Sequence, residues 1–240
     1  MKTSFIDDFH AKLFNFINQN KLIEKNENII IAVSGGPDST ALAFALMRVS
    51  QKYAQNWNIS ICHINHMLRG NESDEDEKFV KKLAKKNILP IFRKKINIPE
   101  IKKITKGSIE DIARNERYDF LINTAININA VKIITAHSKD ENIETIILNM
   151  LRGCGIQGLC GIPLFRQINN ANIKIIRPFL NFDKRKILEY LKESGINYRI
   201  DSSNNENKYK RNRIRNTLLP LLRNTSSIDI DKTLLTISKS

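Results

Sequence analysis

Apolar, β-branched runs alternate along the chain with stretches whose apolar residues recur at helical spacing. Phe5, Ile6, Phe9, Leu13, Phe16 and Ile17 predict an amphipathic helix at the start. Residues 29–33, Ile-Ile-Ile-Ala-Val, are a continuous apolar run of the kind buried on both faces of a parallel sheet. Ser34-Gly35-Gly36-Pro37-Asp38-Ser39 is a glycine-paired turn, and the apolar residues 40–47 read as a helix buried on most sides. Further strands are predicted at 59–64, 91–96 and 132–136, and further helices at 74–86, 108–129 and 138–152. Acids crowd the start of the 74–86 helix and lysines its end, as the helix dipole favours. Ser108, with Asp111 three residues on, gives an incomplete capping box. Residues 67–73 read as a turn, 102–107 as a basic loop and 153–161 as a glycine-rich loop. Residues 162–168 and 173–177, around Asn169-Asn170, read as a hairpin. A helix over 183–194 stops at Gly195, 198–200 reads as a last short strand, and 212–223 as a final helix burying Ile214, Leu218, Leu221 and Leu222. This alternation predicts an α/β fold: a doubly wound, mainly parallel sheet with helices on both faces, followed by a short basic helical C-terminal part.

Length and charge refine that picture. The 240 residues suit one α/β domain plus a small appendage, with the division expected at 1–200 and 201–240. A net charge of +14 points to a polyanionic partner. No apolar run approaches membrane-spanning length, so no membrane partner is expected, and the first ten residues carry acids and lack a signal-peptide core. Cys62, Cys154 and Cys160 are too few and wrongly spaced for a disulfide framework or zinc ribbon. An odd count suits a reducing compartment, the cytoplasm or an organelle matrix.

In a doubly wound sheet, ligands collect at the carboxyl ends of the strands. Three chemistry-bearing stretches follow predicted strand ends: 34–39, 63–73 and 137–144. A strand, glycine turn and helix start form an anion-binding corner, because free N–H groups and a partial positive charge meet there. The turn has neither the Walker lysine nor the Gly-x-Gly-x-x-Gly spacing. His137, Asp140 and Glu144 share a helix face by spacing, with Glu141 adjacent; they suit Mg²⁺, proton transfer, an ammonium group, or simply the helix dipole. His63, Asn65, His66 and Arg69 suit contacts to a base and phosphates, or a polar loop. Arg114 and Arg117, at i and i+3, suit a phosphate clamp or a salt-bridged surface with Glu110 and Glu116. Lys208, Arg211 and Arg215 line one helix face beside Tyr209, the footprint of a nucleic-acid contact.

The turn matches the loop of the N-type ATP pyrophosphatases at Ser34, Gly35, Gly36, Asp38 and Ser39, and so resembles that superfamily. Taken in order, SGGPDS, HINHMLRGNES, ARNERY, AHSKDENIET, LRGCGIQGLCGI, RPFL and DSSNNENKYKRNRIRNTLLPLL resemble the tRNA(Ile)-lysidine synthetase family over residues 29–222. The resemblance implies that ATP adenylates the C2 oxygen of the wobble cytidine in an isoleucine tRNA with a CAU anticodon, releasing pyrophosphate. The ε-amine of free L-lysine then attacks C2 and AMP leaves.

It further implies that Ser34, Gly35, Gly36, Pro37, Asp38 and Ser39 bind ATP and that Asp38 places Mg²⁺. Asp140 and Glu144 would bind lysine and, with His137, deprotonate it; Arg114 and Arg117 would stabilise charge on the α phosphate. The implied catalytic set is Asp38, Arg114, His137, Asp140 and Glu144, with His66, Arg69, Arg211 and Arg215 on the tRNA. A homodimer is compatible with this reading. The family commonly has His-His-x-Asp-Asp where this chain has His137, Ser138, Lys139, Asp140 and Glu141, which keeps the charge and changes the reach of the last carboxylate. Many members carry further C-terminal tRNA-binding domains, whereas residues 224–240 are too few for one, so such domains are expected to be absent here. The rival readings are a PP-loop tRNA thiolase, which would call for paired cysteines, and a catalytically inactive tRNA-binding protein, against which the intact loop residues speak.

Overall fold

Ile29, Ile30 and Ile31 of strand β1 (Asn28–Ala32) have no solvent exposure, so β1 needs cover on both faces and neighbours on both edges. It has both in the computed structural model of the chain, which describes residues 4–168, 171–200 and 210–238. β1 lies between β2 (Asn58–Asn65) and β4 (Lys132–Ile134), parallel to each. β3 (Ile91–Lys95) extends the sheet beyond β2, and β6 (Lys174–Ile176) and β5 (Phe165–Gln167) extend it beyond β4, giving the order β3-β2-β1-β4-β6-β5. All neighbours are parallel except the edge pair β5–β6, which is the predicted hairpin. Its predicted tip, Asn169-Asn170, lies outside the described residues.

The helices cover the two faces as alternation requires. α1 (Phe5–Gln19), α2 (Pro37–Lys52), α3 (Asn71–Lys86) and α7 (Lys184–Glu193) pack over Ile29 and Ile31. α5 (Ile109–Asn127) covers the other face through Tyr118, Leu121 and Ala125 against Ile30 and Ile133. Phe9 joins α1 to α7: its ring stacks on Tyr190 at 4.3 Å and meets Phe182 edge-on at 5.0 Å. The chain leaves β1 toward β2 on one side, while β4 lies on the other. The crevice between the carboxyl ends of β1 and β4 is therefore the switch point of the sheet.

Several boundaries differ from the sequence pattern. α2 starts at Pro37, inside the glycine turn, and α3 at Asn71, inside the stretch read as a turn. The supposed basic loop is partly helical: α4 (Ile98–Ile104) starts at an Asn97 cap whose side chain accepts from the Glu100 N–H, and it buries Ile98. Residues 198–200 form no strand; instead the Arg199 N–H donates to Gly35 O at 2.9 Å, so this segment lies against the glycine turn.

The C-terminal region departs furthest. After α6 (Lys139–Leu151), the chain returns as α8 (Lys210–Arg213), a π-helical turn (Ile214–Leu218) and α9 (Leu219–Thr225), followed by α10 (Ile230–Ile237), which the sequence reading lacked. Pro220 has no N–H to continue the ordinary ladder, and the π turn precedes it. The extra residue rotates the apolar face. Ile214 and Leu219, five apart, are the buried pair, packed with Ile143, Ile146 and Ile147 of α6, whereas Leu221 is 60% exposed rather than buried. Replacing Leu219 with Ala should therefore cost about 2–5 kcal/mol of local stability, and Leu221→Ala no more than about 0.5 kcal/mol. Amide hydrogen exchange across residues 210–225 reads this difference directly.

Candidate active site

The glycine turn folds around its own serines. Ser39 Oγ accepts from the Ser34 N–H at 3.1 Å and lies 3.0 Å from Ser34 Oγ, which in turn accepts from the Gly36 N–H at 3.2 Å. Gly35 has φ +96°, a backbone conformation that a side chain would strain, so this position needs glycine. Gly36 caps α2 without a side-chain hydrogen bond, and Pro37 occupies the first turn. The helix start thus remains open to an external anion, unlike α1, α5 and α6, whose starts are capped by Ser4, Ser108 and Ser138. A cavity of about 640 Å³ opens at this point, in the size range of small-molecule sites.

The opposite wall is acidic, and each acid already has a partner. Glu144, 1% exposed, accepts from Arg211 Nε at 2.9 Å and from Arg215 Nε and a terminal Arg215 nitrogen at 2.6 and 3.0 Å. Asp140 Oδ2 accepts the Lys184 N–H at 2.9 Å, and its Oδ1 lies 3.3 Å from Arg223. Asp38 Oδ2 pairs with the Lys184 ammonium, and burial pushes the Asp38 carboxyl above its ordinary range against the pull of that lysine. Asp38 Oδ1 is buried and accepts no hydrogen bond. Glu141 completes a capping box with Ser138: its side chain accepts the Ser138 N–H at 3.1 Å, and burial raises its pKa.

His137 precedes the α6 cap rather than sharing the helix face with Asp140 and Glu144. Its Nδ1 is 2.9 Å from Thr135 Oγ1, and burial together with Arg177, Arg117, Arg211 and Arg114 drives its pKa down to about 3. It is therefore a poor proton acceptor at neutral pH, against the expectation from its sequence position. Burial likewise takes His66, in the cavity wall, to about 4. His63 Nδ1 bonds Val33 O at 2.8 Å, and Asn65 bonds Asp74 and Glu77, so these two hold the β2 end in place.

A family model for the PP-loop domain matches residues 6–222. The tRNA(Ile)-lysidine synthase of Petrotoga mobilis is 36% identical over 219 residues, covering 91% of this chain and 67% of that protein. The tRNA(Ile)-lysidine synthase of Clostridium tetani is 38% identical over 218 residues, 91% of this chain and 45% of that protein. The chain belongs to the PP-loop domain family, in its tRNA(Ile)-lysidine synthase branch. It spans about half the length of several curated relatives that it matches. Among solved structures, the U34-tRNA thiolase NcsA from Methanococcus maripaludis aligns with a TM-score of 0.76 at 15% identity, covering 98% of this chain and 78% of that one. The NMN synthetase from Francisella tularensis aligns at 0.56 and 12% identity, covering 99% and 94%. At those identities the likeness is one of fold.

Against this PP-loop frame, the residues singled out by sequence divide. Ser34, Gly36, Pro37, Asp38, Ser39, His66, His137, Asp140, Glu144, Arg211 and Arg215 all line the one cavity, and Gly35 shapes the turn beneath it. Arg69 does not; it is paired with Asp76 at 2.7 Å and lies 3.6 Å from Glu72 on α3. Of the two α5 arginines, Arg117 lines the cavity, while Arg114 is exposed over the Tyr118 ring. Residues 201–209, with Lys208 and Tyr209, lie outside the described residues. Sequence reasoning missed Lys184 and Arg223, whose partners lie 146 and 83 positions away; the capping signature Ser138-x-x-Glu141 was available and marks Glu141 as a helix-start residue.

Two outcomes follow. Glu144→Gln leaves Arg211 and Arg215 facing a neutral amide, so the docking of residues 210–225 on α6 should weaken by about 3–5 kcal/mol, seen as faster amide exchange there. His66 and His137, depressed below the ordinary 6.5, take up protons later in the folded than in the unfolded chain. The stability tied to them is complete above pH 6.5 and falls as pH drops toward about 4 and about 3. Their imidazole NMR signals should accordingly show no midpoint between about pH 8 and 5.

Proposed function

We propose that the chain carries the ATP-dependent step chemistry of lysidine formation: ligation of free L-lysine to C2 of the wobble cytidine of an isoleucine tRNA with a CAU anticodon. The observation that carries this reading is a single cavity in which an uncapped PP-loop helix start faces Asp140 and the arginine-held Glu144. That the relatives are tRNA(Ile)-lysidine synthases supports the substrate assignment.

The open N–H groups at the start of α2, with Ser34 and Ser39, hold the β and γ phosphates, so the α–β bridge is the bond that breaks. The cytosine C2 oxygen forms the new bond to the α phosphorus, and pyrophosphate departs with the bridging electron pair. Arg117, the cavity-facing member of its pair, offsets charge on the α phosphate. Asp38 Oδ1, buried without a hydrogen bond, fits a divalent cation whose remaining ligands come from phosphate and water. Among the described residues no group of three or more His, Cys, Asp or Glu could hold a metal by itself. Mg²⁺ bound there supplies neutralising charge for the leaving pyrophosphate.

The second step needs a neutral amine, whereas free lysine titrates near 10.4. Asp140, with a side chain 32% exposed, is the carboxylate that an incoming ammonium can reach, and it holds the amine against C2. Glu144, 1% exposed, acts as a positioning residue that keeps Arg211 and Arg215 on the cavity wall, where they meet the RNA. The amine nitrogen then bonds to C2, the C2–O bond breaks and AMP leaves. Arg69 pairs with Asp76 on α3, outside the cavity lining.

The thiolase alternative calls for a reactive thiolate. Cys62 lines the cavity, but burial pushes its thiol up to about 12, the opposite of activation. Three free cysteines suit a reducing compartment such as the cytoplasm, and no described helix is long and apolar enough to cross a membrane.

Incubation with ATP, radiolabelled lysine and the CAU isoleucine tRNA tests the reading. Label should appear in the digested nucleoside, and pyrophosphate release should depend on that tRNA. ATP turnover indifferent to the RNA, with no label in it, would overturn the proposal.

A further inference from the structure

Three arginines gather on one tyrosine at the rim of the cavity, across from the phosphate loop's helix α2. The guanidinium carbons of Arg114, Arg117 and Arg166 lie 5.1, 5.7 and 5.1 Å from the centre of the Tyr118 ring. Arg177 joins them from the residue after β6: it is 3% exposed, it donates to Pro163 O at 2.6 Å, and its Nε is buried without a hydrogen-bond partner. Arg166 and Arg114 are among the charges that act on it. On the acidic wall of the cavity, Arg211, Arg215 and Arg223 each meet a carboxylate. Arg114, Arg166 and Arg177 form no carboxylate pair among the described residues.

Like charges held this close, one of them buried, repel unless an anion joins them. The tyrosine face offsets only part of that repulsion. The cluster therefore has the composition of an anion seat whose anion comes from outside the chain. Its location selects the anion. α5 lies on the opposite face of the sheet from α2, whose start takes the triphosphate in the proposed reaction. Arg114 and Arg166 are exposed while Arg117 and Tyr118 line the cavity, so the seat sits at the cavity rim and opens outward. A nucleotide chain that sends one base into the cavity must leave its neighbouring phosphates outside it.

We propose that Arg114, Arg166 and Arg177, arranged around Tyr118, seat a backbone phosphate of the RNA next to the base that enters the cavity. This rests on the reading of the partner as RNA and adds to it a second, sequence-independent anchor on the β5–β6 edge of the sheet. Such an anchor fixes register on the strand and leaves base choice to the cavity.

The test is the salt dependence of RNA binding, followed by fluorescence anisotropy with the CAU isoleucine tRNA, in parallel with ATP binding by equilibrium dialysis. Arg166 is exposed, so Arg166→Ala should leave the fold intact. It should lower the slope of log K against log salt by about 0.7–0.9, one lost phosphate contact, and weaken RNA binding about threefold at low salt. ATP affinity should stay within about twofold, and Arg166→Lys should restore most of the slope, since charge is what the contact needs. The same slope change should appear with a tRNA of different anticodon. A variant that loses ATP affinity while keeping the RNA slope would place a nucleotide phosphate here instead and overturn the proposal. Unchanged slope and unchanged ATP affinity would reduce the cluster to packing around Tyr118 and overturn it too. A wild-type protein that forms no lysidine yet shows the slope change would sink the ligase reading and leave the phosphate seat standing.

Discussion

Glu144 is 1% exposed, and its two oxygens accept from two arginines of a segment that begins 66 positions later, at Lys210. A carboxylate buried to that degree is tolerated only with its charge matched and its lone pairs used. Arg215 meets it through two nitrogens and Arg211 through a third, so the match is geometric as well as electrostatic. The apolar contacts of Ile214, Leu219 and Leu234 with α6 hold the same segment from beside the ion cluster. Together they lay the C-terminal helices against the mouth of the crevice, and the cavity wall is complete only because they do.

The same logic runs through the rest of the site. Asp38 meets Lys184, Asp140 meets the Lys184 backbone and Arg223, and Glu144 meets Arg211 and Arg215. Every one of these acids comes from the first 144 residues and every cation from residue 184 or later. The site is therefore closed by charge pairing between two halves of the chain. Two substrates such as those proposed, one bearing phosphates and one an ammonium group, can take over pairs of this kind in either sense, the phosphates engaging the cations and the ammonium the acids. That exchange keeps buried charge matched throughout, whereas entry into an apolar cleft would not.

How much of this the sequence disclosed depends on the range of the interaction. The β1 run, the glycine turn and α2 are local, so periodicity and turn chemistry found them, and the parallel sheet then placed residues 34–39 and 137–144 at neighbouring strand ends. The Asp38–Lys184 pair spans 146 positions and no local pattern marks it. The exchange of Leu221 for Leu219 in the core came from one π turn, which a fixed 3.6-residue period cannot anticipate. Arg117 and Arg114 are separated by one turn of one helix and both lie over the Tyr118 ring, and spacing alone could not say that Arg117 is the one lining the cavity. Residues 198–200 look like a strand by composition, yet the Arg199 N–H donates to Gly35 O of the glycine turn, not to a sheet edge.

The helix starts carry the same division of labour at a smaller scale. Each α-helix leaves its first N–H groups without intrahelical partners, and something must accept from them. At α6, Ser138 and Glu141 satisfy them reciprocally, so that start is closed and its acidic first turn is partly structural. At α2, Gly36 offers no side chain, the serines of the turn bond to one another, and the helix start has no internal acceptor. Two helix starts therefore face one cavity, one self-sufficient and one incomplete. The incomplete one attracts anions, while the complete one leaves Asp140, two residues past its cap, free to point at a cation. The proposed pairing of a polyphosphate with an amine calls for that asymmetry, and a glycine at one cap and a serine at the other are enough to produce it.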